Sequence, residues 1–195
     1  MEFNNGIKAL HFKTRKSWRT WLSKNHQKEP ALWLIIYHMN SQTKSIRQEE
    51  AVEEALCFGW IDSKAIKRDP ESRYQFFSKR KPKGVWSKIN KERVKRLKNE
   101  GKMTPAGQEA IDIAKRNGSW DRLNPIDALE IPTDLRKAFN RNKKAKAYFD
   151  AFPPSSKRII LAWISNAKRP ETRTRRISET VRLAAQNKRA NHNSR

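Results

Sequence analysis

The spacing of apolar positions along this chain changes several times, and each change marks an element. Trp18, Trp21 and Leu22 recur at i, i+3 and i+4, which predicts a helix over about Ser17–Asn25 that Pro30 stops. "ALWLIIYHM" (Ala31–Met39) is a near-continuous β-branched and aromatic run, so it reads as a strand covered on both faces. "SIRQEEAVEEALCF" returns to helical spacing with Ile46, Ala51 or Val52, Ala55 and Leu56 inward. Its outer face is acidic, and Gly59 ends it. "WIDSKAIKR" (Trp60–Arg68) and "RYQFFSKRK" (Arg73–Lys81) flank the turn "DPES" and predict a hairpin. Cys57 then sits on the inner face of a helix end, where a thiol acts as a small buried hydrophobe.

From Pro82 onward the pattern is helical. Trp86, Ile89, Val94 and Leu97 form one stripe ahead of Gly101. "TPAGQEAIDIAKRNG" has Thr104 as N-cap, Pro105 at the first helical position and Asn117-Gly118 at its end. "LNPIDALEIP" (Leu123–Pro132) reads as a linker. Beyond it come a helix over about Thr133–Asn140, one in "NKKAKAYFDAF", one in "SSKRIILAWISNAK" with Ile159, Ile160, Trp163 and Ile164 inward, and a last one burying Ile177, Val181, Ala184 and Ala185. These elements imply an α+β protein: a small β-sheet with flanking helices, followed by an all-helical C-terminal module. The expected division is residues 1–124, residues 125–190 and a disordered tail over 191–195.

Composition narrows the class. Hydrophobic content of 36%, with seven Trp and eight Phe, is enough for a folded core in 195 residues. A single cysteine excludes a disulfide framework and fits a reducing compartment. "MEFNNGIKALHFK" lacks a signal peptide's apolar stretch, and no apolar run is long enough for a membrane span. The expectation is a cytoplasmic protein that is not transmembrane.

Charge changes the picture most. The net charge is +24, and two blocks carry nearly all of it: residues 63–102 hold 15 basic and 4 acidic residues, and residues 155–195 hold 11 and 2. Such clustering attracts polyanions. In the first block, Lys79, Arg80, Lys81, Lys83, Lys88 and Lys91 are interleaved with Phe76, Phe77 and Trp86, a pattern used on single-stranded nucleic acid and equally produced by an amphipathic hairpin. In the second, Arg169, Arg173 and Arg176 share a helical face near Lys168. They either bind an anion bidentately or lock onto internal acids such as Glu171 and Asp62. Asp62 follows a bulky apolar run and needs a hydrogen-bonding or cationic partner there, the densest supply being "RPETRTRR". His11, His26, His38 and His192 are scattered without metal-ligand spacing, and neither GxGxxG nor GxxxxGK[ST] occurs. No metal and no cofactor is expected.

The motifs "EALCFGWIDSK", "VWSKINKERVKRL", "GKMTPAG" and "AWISNAKRPETRTRRISETV" together resemble the YdeI/OmpD-associated family, also labelled bacteriocin-protection proteins, over about Trp18–Lys188. The resemblance implies an α/β N-terminal part, a helical C-terminal module and no established enzymatic activity. It carries over Trp60, Asp62, Arg80, Trp86, Ser87, Asn90, Lys168, Glu171, Thr172, Arg173 and Arg176; in the stretch Ser78–Arg80 the chain departs from the family pattern but keeps Arg80 matched, and it departs again at Gly84. The family label suggests an envelope-protein association. The reading that follows is a non-catalytic binding protein for an anionic partner, a nucleic acid or an acidic protein. Its binding residues would be Asp62, Arg80, Trp86, Lys88, Lys91, Lys168, Arg173 and Arg176. The alternatives are a nucleic-acid-binding protein proper, or a small-ligand binder or enzyme with a pocket around Asp62.

Overall fold

A computed structural model describes residues 2–191. His192 and nearly all of the tail expected over 191–195 lie outside the described residues. The chain divides into two compact units, residues 1–122 and 123–195.

The first unit is built on a five-stranded mixed sheet in the order β1-β2-β3-β5-β4. Strands β1 (Glu2–Asn4) and β2 (Ile7–His11) form a hairpin across Asn5 and Gly6, both at positive φ. The helix α1 (Arg15–Asn25) then crosses over to β3 (Ala31–Tyr37), which lies parallel to β2. Helix α2 (Gln48–Cys57) leads to the hairpin of β4 (Trp60–Lys67) and β5 (Ser72–Lys79), with β5 inserted antiparallel between β3 and β4. Alternation along β3 splits its side chains between two faces. Leu32, Leu34 and Ile36 join the main core with Trp18, Leu56, Trp60 and Phe77. Trp33 and Ile35 pack with Ala9 on the other face. The strand is therefore buried on both faces, as its unbroken apolar run predicts.

Two helices complete the unit, α3 (Lys88–Asn99) and α4 (Pro105–Arg116). Thr104 caps α4 through the Gly107 N–H, and its own N–H and hydroxyl donate to the Cys57 carbonyl at 3.2 and 2.5 Å. This ties the start of α4 to the end of α2. Gly59, at φ +72°, stops α2, and a Cβ there would come within 2.9 Å of the Ala106 carbonyl oxygen. "CFGWID" is thus a helix stop, a close helix approach and a strand start in six residues.

The second unit is all-helical: α5 (Asn124–Asp127), α6 (Thr133–Asn140), α7 (Lys143–Ala151), α8 (Pro154–Ser165) and α9 (Pro170–Ala184). Its core gathers Leu135, Phe139, Phe149, Ile160, Leu161 and Ile164. Among the described residues no helix is long and apolar enough to cross a membrane.

Four details depart from expectation. The acidic face of α2 points outward only at its start, where Glu49 is exposed: Glu53 and Glu54 are buried, Glu54 at 2% exposure, because Arg15, Arg19 and Arg96 surround them. Ile89 is 60% exposed, since it lies five residues, about 140° around the helix, from Val94. Ile159 is exposed and Leu161 takes its place, because Ile159 is about 100° from Ile160 on the side away from Ile164. The linker after Leu123 contains the short helix α5, opened by Pro125 near its first position.

Candidate functional site

Asp62 sits on β4 opposite Phe77, on the same face as Trp60. After it Ser63 and Lys64 bulge out of register before Ala65 pairs with Gln75. Asp62 is half-buried and accepts a long hydrogen bond from Gln75 Nε2 at 3.4 Å. Burial pushes its carboxyl above the usual range, against the Gln48 side chain and the charges of Arg93 and Arg80. The cations that act on it come from its own unit. Asp62 also lines an open cleft of about 860 Å³ with Lys13, Lys44, Arg47, Arg73 and Arg93; Glu49 is the other carboxylate in the lining. Arg73 and Arg93 are held by amides there: Arg73 donates to Gln48 Oε1 at 2.8 Å and Arg93 to Asn90 Oδ1 at 3.0 Å.

Arg80 and Trp86 come together directly. The guanidinium carbon lies 3.5 Å from the centre of the Trp86 ring. Trp86 is itself only 1% exposed and packs on Trp120 at 4.9 Å between centroids. Phe77 is fully buried. Of the rings that resembled stacking platforms in the sequence, Phe77 and Trp86 are core, Trp86 held between a cation and another indole, while Phe76 is half-buried against Trp33 at 4.8 Å between centroids.

Lys88 and Lys91 face a different feature, a groove of about 490 Å³ between α3 and α4. Lys88, Lys91, Lys95 and Lys98 follow one another at i, i+3, i+7 and i+10, so they run along one side of α3. Lys115 of α4 faces them, and Val94, Ile111 and Trp120 form the floor. The ammonium groups of Lys91 and Lys115 lie 5.4 and 5.6 Å from the Trp120 ring. Lys91 pairs with Asp121 at 3.5 Å, and Glu92 also lines the groove.

In the second unit the three predicted cations divide. Lys168 is exposed ahead of α9. Arg173 makes a two-pronged ion pair with Asp134 of α6, at 2.6 and 3.0 Å. That hydrogen bonding holds the Asp134 carboxyl below the usual range. Arg176 donates to the Trp163 carbonyl and lies 5.1 Å from that residue's ring. Arg173 thus serves an ion pair inside its own unit, with Asp134 in the place expected for Glu171.

Sequence reasoning missed Lys95, Lys98, Lys115 and Trp120 of the groove, and Arg73 and Arg93 of the Asp62 cleft. The lysine stripe carried a usable signal, its heptad-like spacing, which reading α3 for apolar positions alone passed over. The Asp62 cations carried none, because they come from different elements.

Residues 10–110 match the family model described as Domain of unknown function (DUF8412). Residues 128–187 match the model described as Bacteriocin-protection, YdeI or OmpD-Associated. The second match bears out the resemblance drawn from "AWISNAKRPETRTRRISETV" but corrects its extent, since the N-terminal motifs fall under the first model. No curated protein and no solved structure matches the chain.

Proposed function

The chain belongs to the family described as Domain of unknown function (DUF8412), and from that premise we propose that it is a non-catalytic binding protein for an acidic protein segment. The segment would lie in the α3–α4 groove. One observation carries the reading: a lysine stripe along α3 faces Lys115 across an apolar floor centred on Trp120. An apolar floor with a cationic rim is complementary to an amphipathic segment that flanks apolar residues with carboxylates. Lys88, Lys95, Lys98 and Lys115 form no ion pair with any described residue. A nucleic acid would instead call for open ring faces, and Trp86 is enclosed. The word "Associated" in the second family's description agrees with a binding role.

The test is a titration with a designed helical peptide carrying glutamates on both sides of a leucine stripe, alongside its glutamine counterpart and a single-stranded oligonucleotide. The acidic peptide is expected to bind, and the variant Lys88→Glu/Lys95→Glu/Lys98→Glu to lose at least about tenfold in affinity, about 1.4 kcal/mol. Tighter binding of the oligonucleotide, or equal binding of both peptides, would contradict the reading.

A further inference from the structure

Arg80 is a half-buried cation with no carboxylate of a described residue bonded to it. It follows β5 directly, and its N–H donates to the Gly59 carbonyl at 2.9 Å. Of its side-chain donors, Nη1 reaches the Val85 carbonyl at 3.3 Å, and Nε is enclosed with no hydrogen-bond partner among the described residues. The Trp86 face offsets part of the desolvation through cation–π attraction. The remainder shows in its acidity: burial pushes Arg80 down to about 10, with only the Asp62 charge opposing. A guanidinium in this condition gains from any anion that reaches it, because the desolvation cost is already met in the free protein.

Arg80 also borders a pocket of about 280 Å³ separate from the lysine groove. Phe58, Gly59, Ala110 and Ile113 supply apolar wall, with Trp60 and Trp86 behind. Glu109 belongs to the lining, but it pairs with Arg116 at 3.2 Å and leaves Arg80 alone. Lys79 lines the pocket too, with its ammonium donating to the Gln27 carbonyl at 2.6 Å. A small apolar pocket with a few convergent polar groups is the usual form of a small-molecule site. We propose that this pocket binds a small organic carboxylate with a flat, apolar body, its carboxylate on Arg80 and its body against Phe58, Ala110 and Ile113. The fork of a guanidinium matches a carboxylate, and the volume admits one ring rather than a polymer.

The experiment uses benzoate as probe and benzamide as its uncharged counterpart, at constant ionic strength, read by the midpoint of thermal unfolding. A ligand that binds only the native state raises this midpoint in a saturable way. Benzoate is expected to raise it and benzamide to leave it unchanged. Arg80→Met should fold with an equal or higher midpoint, since it removes an uncompensated charge, and should abolish the benzoate response. Lys88→Glu/Lys95→Glu/Lys98→Glu should keep that response, which separates this pocket from the groove. No response to benzoate, an equal response to benzamide, or a response that survives in Arg80→Met would overturn the proposal. Should Arg80→Met fail to fold, the comparison of benzoate with benzamide on the wild type decides by itself.

Discussion

Asp62 shows how one side chain can be placed correctly from sequence while its energetics differ. Strand alternation puts it beside Trp60 under cover, and the structure agrees. Its partners are amides and more distant arginines, with no direct ion pair among the described residues, and burial raises its pKa. A carboxyl that holds its proton more tightly when folded makes the native state lose stability as pH rises from the ordinary 3.8 through the raised folded value. Asp62→Asn is therefore expected to be neutral or stabilising at pH 7, with its advantage over the wild type shrinking as pH falls through that window. Urea unfolding across the acidic range checks this; a variant that is less stable at neutral pH would contradict it. Glu54 is the opposite case. Its carboxylate is 2% exposed and binds Arg15 Nε at 2.5 Å and Arg19 Nη1 at 2.6 Å. Glu54→Ala strands two arginines and should cost about 3 kcal/mol in denaturant unfolding, with Glu54→Gln losing less. Sequence reading put Glu54 on the solvent face because a carboxylate in an amphipathic helix usually lies there; its arginines stand 35 and 39 residues away, where no local pattern can find them.

At the scale of elements, the junction of α2 and α4 explains why two glycines stand where they do. A Cβ on Gly107 would collide with the Cys57 carbonyl oxygen and the Met103 sulfur. Gly107→Ala should thus cost about 2–3 kcal/mol through overpacking, whereas alanine in an open helix position is favourable. Circular dichroism melts of Gly107→Ala read the loss directly, and an unchanged midpoint would show the helices are not so tightly joined. Burial pushes the Cys57 thiol up, consistent with a packing role at this junction. In the second unit the α6–α9 ion pair is more exposed, so Asp134→Ala should cost only about 0.5–1 kcal/mol. Its contribution is present above the ordinary carboxylate pKa and is lost as pH falls through the lowered folded value of Asp134. Caps and stops made most helices legible in sequence: Thr104, Pro105 and Asn117-Gly118 bracket α4 as read. The β1–β2 hairpin was not recognised, although Asn5-Gly6 is a strong turn signal, because its strands are short and only Ala9 among their residues is fully buried.

At the scale of the molecule, the excess of positive charge separates into groups with different employment. Some cations are spent internally, on Glu53, Glu54 and Asp134. Others gather around Asp62, and the α3 stripe surrounds Trp120. Sequence counting locates the two basic blocks but cannot assign these roles, because pairing depends on residues brought in from distant elements. Screening then supplies a prediction. If the groove attracts its partner electrostatically, affinity for the acidic peptide should fall steeply as salt rises from 0.1 to 1 M and the screening length shrinks from ~10 to ~3 Å. The most direct measurement is a ¹H–¹⁵N spectrum of the whole protein titrated with that peptide. The Trp120 indole N–H and the amides of Lys88–Asn99 are expected to shift together and saturate. Shifts confined to the residues around Lys168 and Arg176, with Trp120 unmoved, would contradict the groove as the binding site.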